Sequence, residues 1–201
     1  MKPRILFATS NPGKAKELAA LLGDRAIIET LADHPALVMP EETGETFEAN
    51  ARLKAEHCAA HTGRLCLADD SGLEVDALGG APGVRSARYA PGSDVDRMQA
   101  LLRALSEVPE GSRAARFRSA IALAGPGRPT EIAEGRVEGR VGLLPRGSHG
   151  FGYDPIFELP ELGRTMAELS LAEKSAISHR ARAFQNLLPA ILQALGTPLF
   201  S

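Results

Sequence analysis

Apolar positions fall into a few clear runs along the chain. Arg4 to Thr9 has the length and composition of a buried strand. Ser10-Asn11-Pro12-Gly13 reads as a turn. Lys14 to Leu22 then places Leu18, Leu21 and Leu22 on one helical face, with Gly23 as the stop. Ile27 to Leu31 predicts a second strand. Thr43 to His61 predicts a long helix after the acidic entry Glu41-Glu42, with Thr43-Gly44 as its cap. Leu65 to Ala68 predicts a short strand running into Asp69-Asp70-Ser71-Gly72, all four common turn residues. Gly79 to Tyr89 is a shaped Gly- and Pro-rich loop. Asp94 to Glu107 is amphipathic, with Met98, Leu101, Leu102 and Leu105 inward. Ala114 to Ala124 and Thr130 to Val141 read as two strands of a hairpin or meander. Ser170 to Leu195 is helical with room for one break, and Ser170 with Glu173 has the spacing of a capping box.

Helices interleaved with strands, then a β-rich middle, predict an α/β protein with a mixed central sheet flanked by helices. With 201 residues the chain is read as a single domain, 1–201. Hydrophobic residues make up 44% and charged residues 24%, which is enough to bury a core without disulfides. The net charge of −2 carries no basic field, so nucleic acid and anionic membrane surfaces are not expected partners. No apolar run reaches about 18 residues, which excludes a helical membrane span, and the N-terminus has no apolar core of a signal peptide. The two cysteines, Cys58 and Cys66, lack CxxC spacing and read as reduced thiols of a cytoplasmic protein. A zinc site from His57, Cys58, His61 and Cys66 matches no common spacing.

Five clusters bear on chemistry, and each has a structural alternative. Thr9-Ser10-Asn11-Pro12-Gly13-Lys14 ends a strand and opens a helix, an arrangement suited to phosphate. It equally suits a plain strand-to-helix turn, and no Walker A loop is present. Glu41, Glu42, Glu45 and Glu48 could supply a hard-oxygen ligand for Mg²⁺, or simply favour a helix start. Lys54 farther along that helix could reach a phosphate or stay solvated. Asp69-Asp70-Ser71-Gly72 sets two acids directly after an apolar strand. Close carboxylates repel unless a cation or proton lies between them, and a divalent ion is the economical answer. A turn is the alternative. His149 to Phe157 alternates glycines with Phe151 and Tyr153, which could stack on a base or plug a core. Glu173 to Arg180 lines up donors that could read a purine O6 or N7, or form a polar outer helix face.

Taken together, these segments resemble the inosine/xanthosine triphosphate pyrophosphatase family. The matching stretches are Ala8 to Lys14, Glu42-Thr43-Gly44, Ala68 to Leu73, Gly79 to Gly83, Ser86 to Tyr89, Gly150 to Pro155 and Glu173 to Arg180, in family order. The resemblance implies a mixed-sheet α/β fold with two lobes flanking a cleft, and a homodimer. It implies Mg²⁺ as cofactor, with Asp70 as catalytic carboxylate and metal ligand and Glu42 as second metal-site acid. Thr9, Ser10, Asn11, Pro12, Gly13 and Lys14 would bind the triphosphate, and Ser71 would contact substrate. Phe151, Gly152, Tyr153, Asp154, Lys174, His179 and Arg180 would form the nucleoside pocket. The products would be a nucleoside monophosphate and pyrophosphate from ITP, dITP or XTP.

One departure stands out. Bacterial members often carry glutamate where this chain has Ala49, and Glu48 lies about 100° around the helix from it. Base choice is expected to rest on donors from His179 and Arg180, which suit a 6-oxo group and oppose a 6-amino group. Two rivals remain. One is a Maf-like pyrophosphatase for modified pyrimidine nucleotides, and the other is a nucleotide-binding protein without catalysis.

Overall fold

The computed structural model describes residues 2–196. Seven strands form one sheet in the order β2-β1-β3-β4-β5-β6-β7. They are β1 (Arg4–Phe7), β2 (Ile27–Thr30), β3 (Cys66–Val75), β4 (Ala114–Ala124), β5 (Glu131–Val141), β6 (Phe157–Leu159) and β7 (Arg164–Thr165). The helices are α1 (Pro12–Leu22), α2 (Phe47–Thr62), α3 (Asp94–Ala104), α4 (Leu171–Ile177) and α5 (His179–Ala194), with short 3-10 turns between elements. β1 runs parallel to β2 and β3, whereas β6 is antiparallel to both β5 and β7. The sheet is therefore mixed, as the interleaved pattern predicts.

The chain separates into two compact units. The first takes residues up to Asp70, Ser119–Gly135 and the segment from Arg180 onward; the second takes Ser71–Arg118 and Arg136–His179. Each unit has its own core. In the first, Ile5, Phe7, Leu67, Ile121 and Leu123 of the strands meet Leu18 and Leu22 of α1 and Phe184, Leu187 and Ile191 of α5. In the second, Leu73, Val75, Phe117, Val137 and Val141 meet Met98, Leu101 and Leu105 of α3, together with Tyr153, Ile156 and Phe157. Each such aliphatic or aromatic side chain, once buried, contributes about 1.5–3 kcal/mol. The apolar face read in Asp94 to Glu107 thus points inward, although the helix stops at Ala104.

Two local expectations are corrected, and the break allowed for in the last helix is found. The helix expected from Thr43 begins at Phe47, because Thr46 is the N-cap and accepts the Ala49 N–H at 3.1 Å. Glu42 to Gly44 therefore lies before the helix, outside any helix or strand. The short strand expected over Leu65 to Ala68 does not end there, and the turn alternative at Asp69-Asp70-Ser71-Gly72 does not hold. β3 runs straight through that stretch, because partners on both faces satisfy the polar side chains and override their turn preference. The break in the last helical stretch falls at Ser178, whose backbone is extended (φ −66°, ψ 158°) between α4 and α5. The capping box at its start is present, with Ser170 and Glu173 exchanging bonds.

Candidate active site

In the first unit, β1 delivers Thr9 to the entrance of α1. Asn11 caps that helix, accepting the N–H groups of Gly13 (2.8 Å) and Lys14 (3.2 Å) on Oδ1. Thr9 Oγ1 accepts the Asn11 N–H at 3.1 Å, and Pro12 has no N–H to offer. The turn's own side chains thus hold the amides on which a phosphate was expected to rest. Ser10 is exposed at the tip. Lys14 turns inward and its ammonium lies 2.6 Å from Asp69 Oδ2.

Side chains of successive strand residues point to opposite faces, so Asp69 and Asp70 leave β3 in opposite directions. Asp69 is enclosed by Lys14 of α1, Arg180 of α5 (3.2 Å) and the Ser119 hydroxyl of β4, which donates at 2.5 Å. Arg180 also pairs with Glu17 of α1, and both are buried. Burial alone would raise the Asp69 pKa, but the Arg180 and Lys14 charges hold it well below the ordinary carboxylate range. The same burial lowers the Lys14 pKa, with Asp69 opposing the shift. The two acids therefore do not confront each other across one ion, and Asp69 already has its counter-charges.

Asp70 faces α2. Asn50 donates to its Oδ2 at 3.1 Å, and the Lys54 ammonium lies 3.4 Å from its Oδ1. The same ammonium is 2.6 Å from Glu42 Oε1 and donates to the Asp69 carbonyl at 2.9 Å. Asn50 and Lys54 are one helical turn apart, which puts both on the strand-facing side of α2. Glu42 and Asp70 thus converge on one cationic nitrogen. Burial pushes the Asp70 pKa up, Lys54 opposes this, and the neighbouring Glu42 charge pushes it further up. Burial would lower the Lys54 pKa, but Asp70 and Glu42 outweigh it and raise it. Ala49 is exposed on the first turn of α2, and these contacts are made without an acid there. Glu41 and Glu45 are also exposed.

Two oxygens of this kind suit Mg²⁺, which binds through one or two carboxylates and takes its remaining ligands from phosphates and water. Among the described residues, no group of three or more His, Cys, Asp or Glu is placed to hold a metal ion. Cys58 and Cys66 are buried thiols, and the His57 and His61 rings lie against each other with centroids 4.0 Å apart and planes tilted by 31°.

The second unit collects the other predicted residues. Ser71 follows Asp70 in β3 and is half-buried. Asp154 is buried and accepts from Lys174 Nζ at 2.5 Å and from the Phe151 N–H at 2.9 Å. The Lys174 ammonium also lies 4.9 Å from the centre of the Phe151 ring, a cation–π distance. Gly150 permits this fold-back: its φ is +78°, and a Cβ there would lie 2.0 Å from Asp154 Oδ2. The Gly152 N–H donates to Asp94 of α3 at 2.9 Å. Tyr153 is buried in the core, its hydroxyl donating to the Ser86 carbonyl at 3.0 Å, and burial raises its pKa. His179 is buried and stacks on Phe117 with centroids 4.8 Å apart and planes 16° apart. Of the two aromatics in the Gly-rich segment, Phe151 is the one left partly exposed.

The structure thus brings Glu42, Asp70, Asp69, Lys14 and Lys54 together in one unit, and Phe151, Asp154, Lys174 and His179 in the other. Arg180 joins the first group, bound to two carboxylates, although the donor run places it beside His179. Sequence reasoning did not single out Asn50, Glu17 or Ser119. Their signals were a polar residue one turn before Lys54, an acid beside Leu18 on a helix face, and a serine inside the apolar run of β4.

Residues 5–190 match the model of the Ham1 family. The chain is 51% identical to the dITP/XTP pyrophosphatase of Geobacillus kaustophilus, covering 91% of each, and 49% identical to that of Symbiobacterium thermophilum, covering 94% of this chain and 97% of the other. It also resembles the solved structure of a HAM1 protein from Coxiella burnetii, with a TM-score of 0.84 and 41% identity over 95% of this chain and 99% of that one. With the family model matched over most of its length, relatives about half identical to it and a solved structure sharing its fold, this chain belongs to the Ham1 family.

Proposed function

We propose that the chain hydrolyses non-canonical purine nucleoside triphosphates, ITP, dITP and XTP, to the monophosphate and pyrophosphate. The observation that carries this reading is the convergence of Glu42 and Asp70 on Lys54 in a buried, polyphosphate-suited cluster. The relatives' name, dITP/XTP pyrophosphatase, supports the substrate class. The Maf-like pyrimidine alternative has no such support.

Glu42 and Asp70 would hold Mg²⁺ together with the substrate's phosphates, and the bound ion would supply charge neutralisation and Lewis acidity towards phosphoryl oxygen. Thr9, Ser10, Asn11, Pro12, Gly13 and Lys14 bind the triphosphate chain, with Lys14 and Lys54 offsetting its charge. Asp70 Oδ1 takes the proton of the water that attacks the α-phosphorus. Asn50 fixes its other oxygen, so the carboxylate is aimed before substrate arrives. Phe151 stacks on the base, and Gly152, Tyr153 and Asp154 shape the loop that presents it. Lys174, with Ser71, contacts the nucleoside moiety. His179 reads the 6-oxo group. The Arg180 fork is committed to Glu17 and Asp69, so it supports the phosphate side and reaches a base only by exchanging those bonds.

We further infer a single working domain over 1–201, a cytoplasmic location and a homodimer. No helix among the described residues is long and apolar enough to cross a membrane. A panel of ITP, dITP, XTP, dUTP, methylated pyrimidine nucleotides, ATP and GTP, assayed for pyrophosphate with and without Mg²⁺, tests the reading. Metal-dependent release confined to ITP, dITP and XTP, with GTP spared although it shares their 6-oxo group, is expected. Preference for modified pyrimidines, or nucleotide binding without turnover, would overturn it.

A further inference from the structure

Glu42 sits on irregular chain before α2, whereas Asp70 sits inside β3. Nothing in either element fixes the distance from one carboxylate to the other. The link is a side chain that sequence reasoning passed over. Asn50 is fully buried. Its Oδ1 accepts the Gly44 N–H at 2.8 Å, its Nδ2 donates to the Gly44 carbonyl at 3.2 Å, and the same Nδ2 donates to Asp70 Oδ2 at 3.1 Å. Both amide protons and the carbonyl are thereby used.

Gly44 lies two residues after Glu42. Pinning both its N–H and its carbonyl fixes the backbone that carries Glu42. The amide's remaining proton fixes the orientation of Asp70. Lys54, one turn along the same helix, then closes a ring from Asp70 to Glu42. The space at Gly44 is matched to the amide, because a Cβ there would lie 2.6 Å from Asn50 Oδ1 and 2.9 Å from Ala49 Cβ. A fully buried amide with every donor committed to two separate chain segments does more than cap a helix; the cap of α2 is Thr46.

We propose that Asn50 is a positioning residue that sets the mutual placement of the Glu42 and Asp70 carboxylates, and through it the affinity of the site for a divalent cation. The inference rests on the metal-assisted reading of this site. Side chains that orient metal ligands typically govern affinity by one to two orders of magnitude.

The test is a titration of the full-length chain with Mn²⁺, which shares the oxygen preference of Mg²⁺, following free Mn²⁺ by electron paramagnetic resonance. Asn50→Ala should raise the Mn²⁺ concentration for half-occupancy by on the order of tenfold or more. Gly44→Ala attacks the same link from the loop side and should shift the curve in the same direction. It also reads the link should Asn50→Ala fail to fold. With nucleotide present, kcat at a fixed sub-saturating metal concentration should fall in both variants and recover at high metal, with the nucleotide KM at saturating metal little changed. Mn²⁺ curves that match wild type in both variants, even with a lower Tm, would reduce Asn50 to a structural staple and overturn the proposal. The titration needs no turnover. A wild-type chain that binds Mn²⁺ but releases no pyrophosphate would therefore overturn the proposed activity, while the curves still decide the role of Asn50.

Discussion

Asp69 and Asp70 show how much one residue of register matters. Adjacent in sequence, they face opposite sides of β3 and hold different company: Lys14, Arg180 and Ser119 for one, Asn50, Lys54 and Glu42 for the other. The difference predicts different phenotypes. Asp70→Asn removes the proton acceptor while keeping size and polarity. Turnover of ITP should fall by about 10²–10⁴-fold, whereas nucleotide binding by calorimetry should persist; a normal rate would remove Asp70 from the chemistry. Arg180→Ala acts on the other face. It leaves Glu17 and Asp69 buried with less compensation, at a cost of about 3–5 kcal/mol. The first symptom should be a lower midpoint of denaturant unfolding. A variant of normal stability with altered ITP-over-ATP preference would return Arg180 to base reading.

Glu29 provides a residue-scale test away from the site. Its carboxylate bonds to Arg4 and His34 and pairs with Arg64, and these contacts, Arg4 first, hold its pKa down to about 2. The unfolded chain would titrate this group near its ordinary value of 4.5. A carboxylate with a lowered folded-state pKa stabilises above the unfolded value, and that stability is lost as pH falls through the folded one. Glu29→Gln should therefore flatten the fall in Tm between about pH 4.5 and 2 relative to wild type. Parallel Tm curves would show that the ion cluster adds nothing. Arg4 and Arg64 are largely exposed, so solvent screening keeps the effect small.

At the scale of elements, the loop before β6 is built around one carboxylate. Asp154 gathers Lys174 and the Phe151 N–H, and Gly150 gives it room at a positive φ. Gly150→Ala adds a Cβ at the carboxylate in a backbone region that costs about 1–3 kcal/mol for such a residue. The Phe151 platform should shift, so the KM for ITP should rise more than kcat falls in steady-state assays. Much of this level was legible beforehand. The strands in Ala114 to Ala124 and Thr130 to Val141, and the α3 face of Met98, Leu101 and Leu105, follow from periodicity that tertiary packing reinforces. Periodicity failed where long-range partners override local preference. The Asp-Asp-Ser-Gly stretch reads as a turn until Asn50, Lys54 and Ser119 arrive from elsewhere in the chain. The start of α2 was misplaced because Thr46 takes the cap, while Gly44 before it is tied to the Asn50 side chain.

At the scale of the whole molecule, the sequence yielded a mixed α/β fold and a family, and the sheet order and near full-length similarity bear both out. The assignment of Glu42, Asp70 and Lys14 to one neighbourhood came through the ordered set of motifs. Their composition alone fits helix caps and turns equally well, because convergence in space is a property of topology. The proposed activity turns on one chemical step, attack of water at the α-phosphorus of a non-canonical purine triphosphate. Turnover of dITP with Mg²⁺ in oxygen-18 water, read by mass spectrometry, tests it most directly. The account predicts heavy oxygen in deoxyinosine monophosphate and none in the pyrophosphate. Label in the pyrophosphate, or release of inorganic phosphate with the diphosphate, would contradict it.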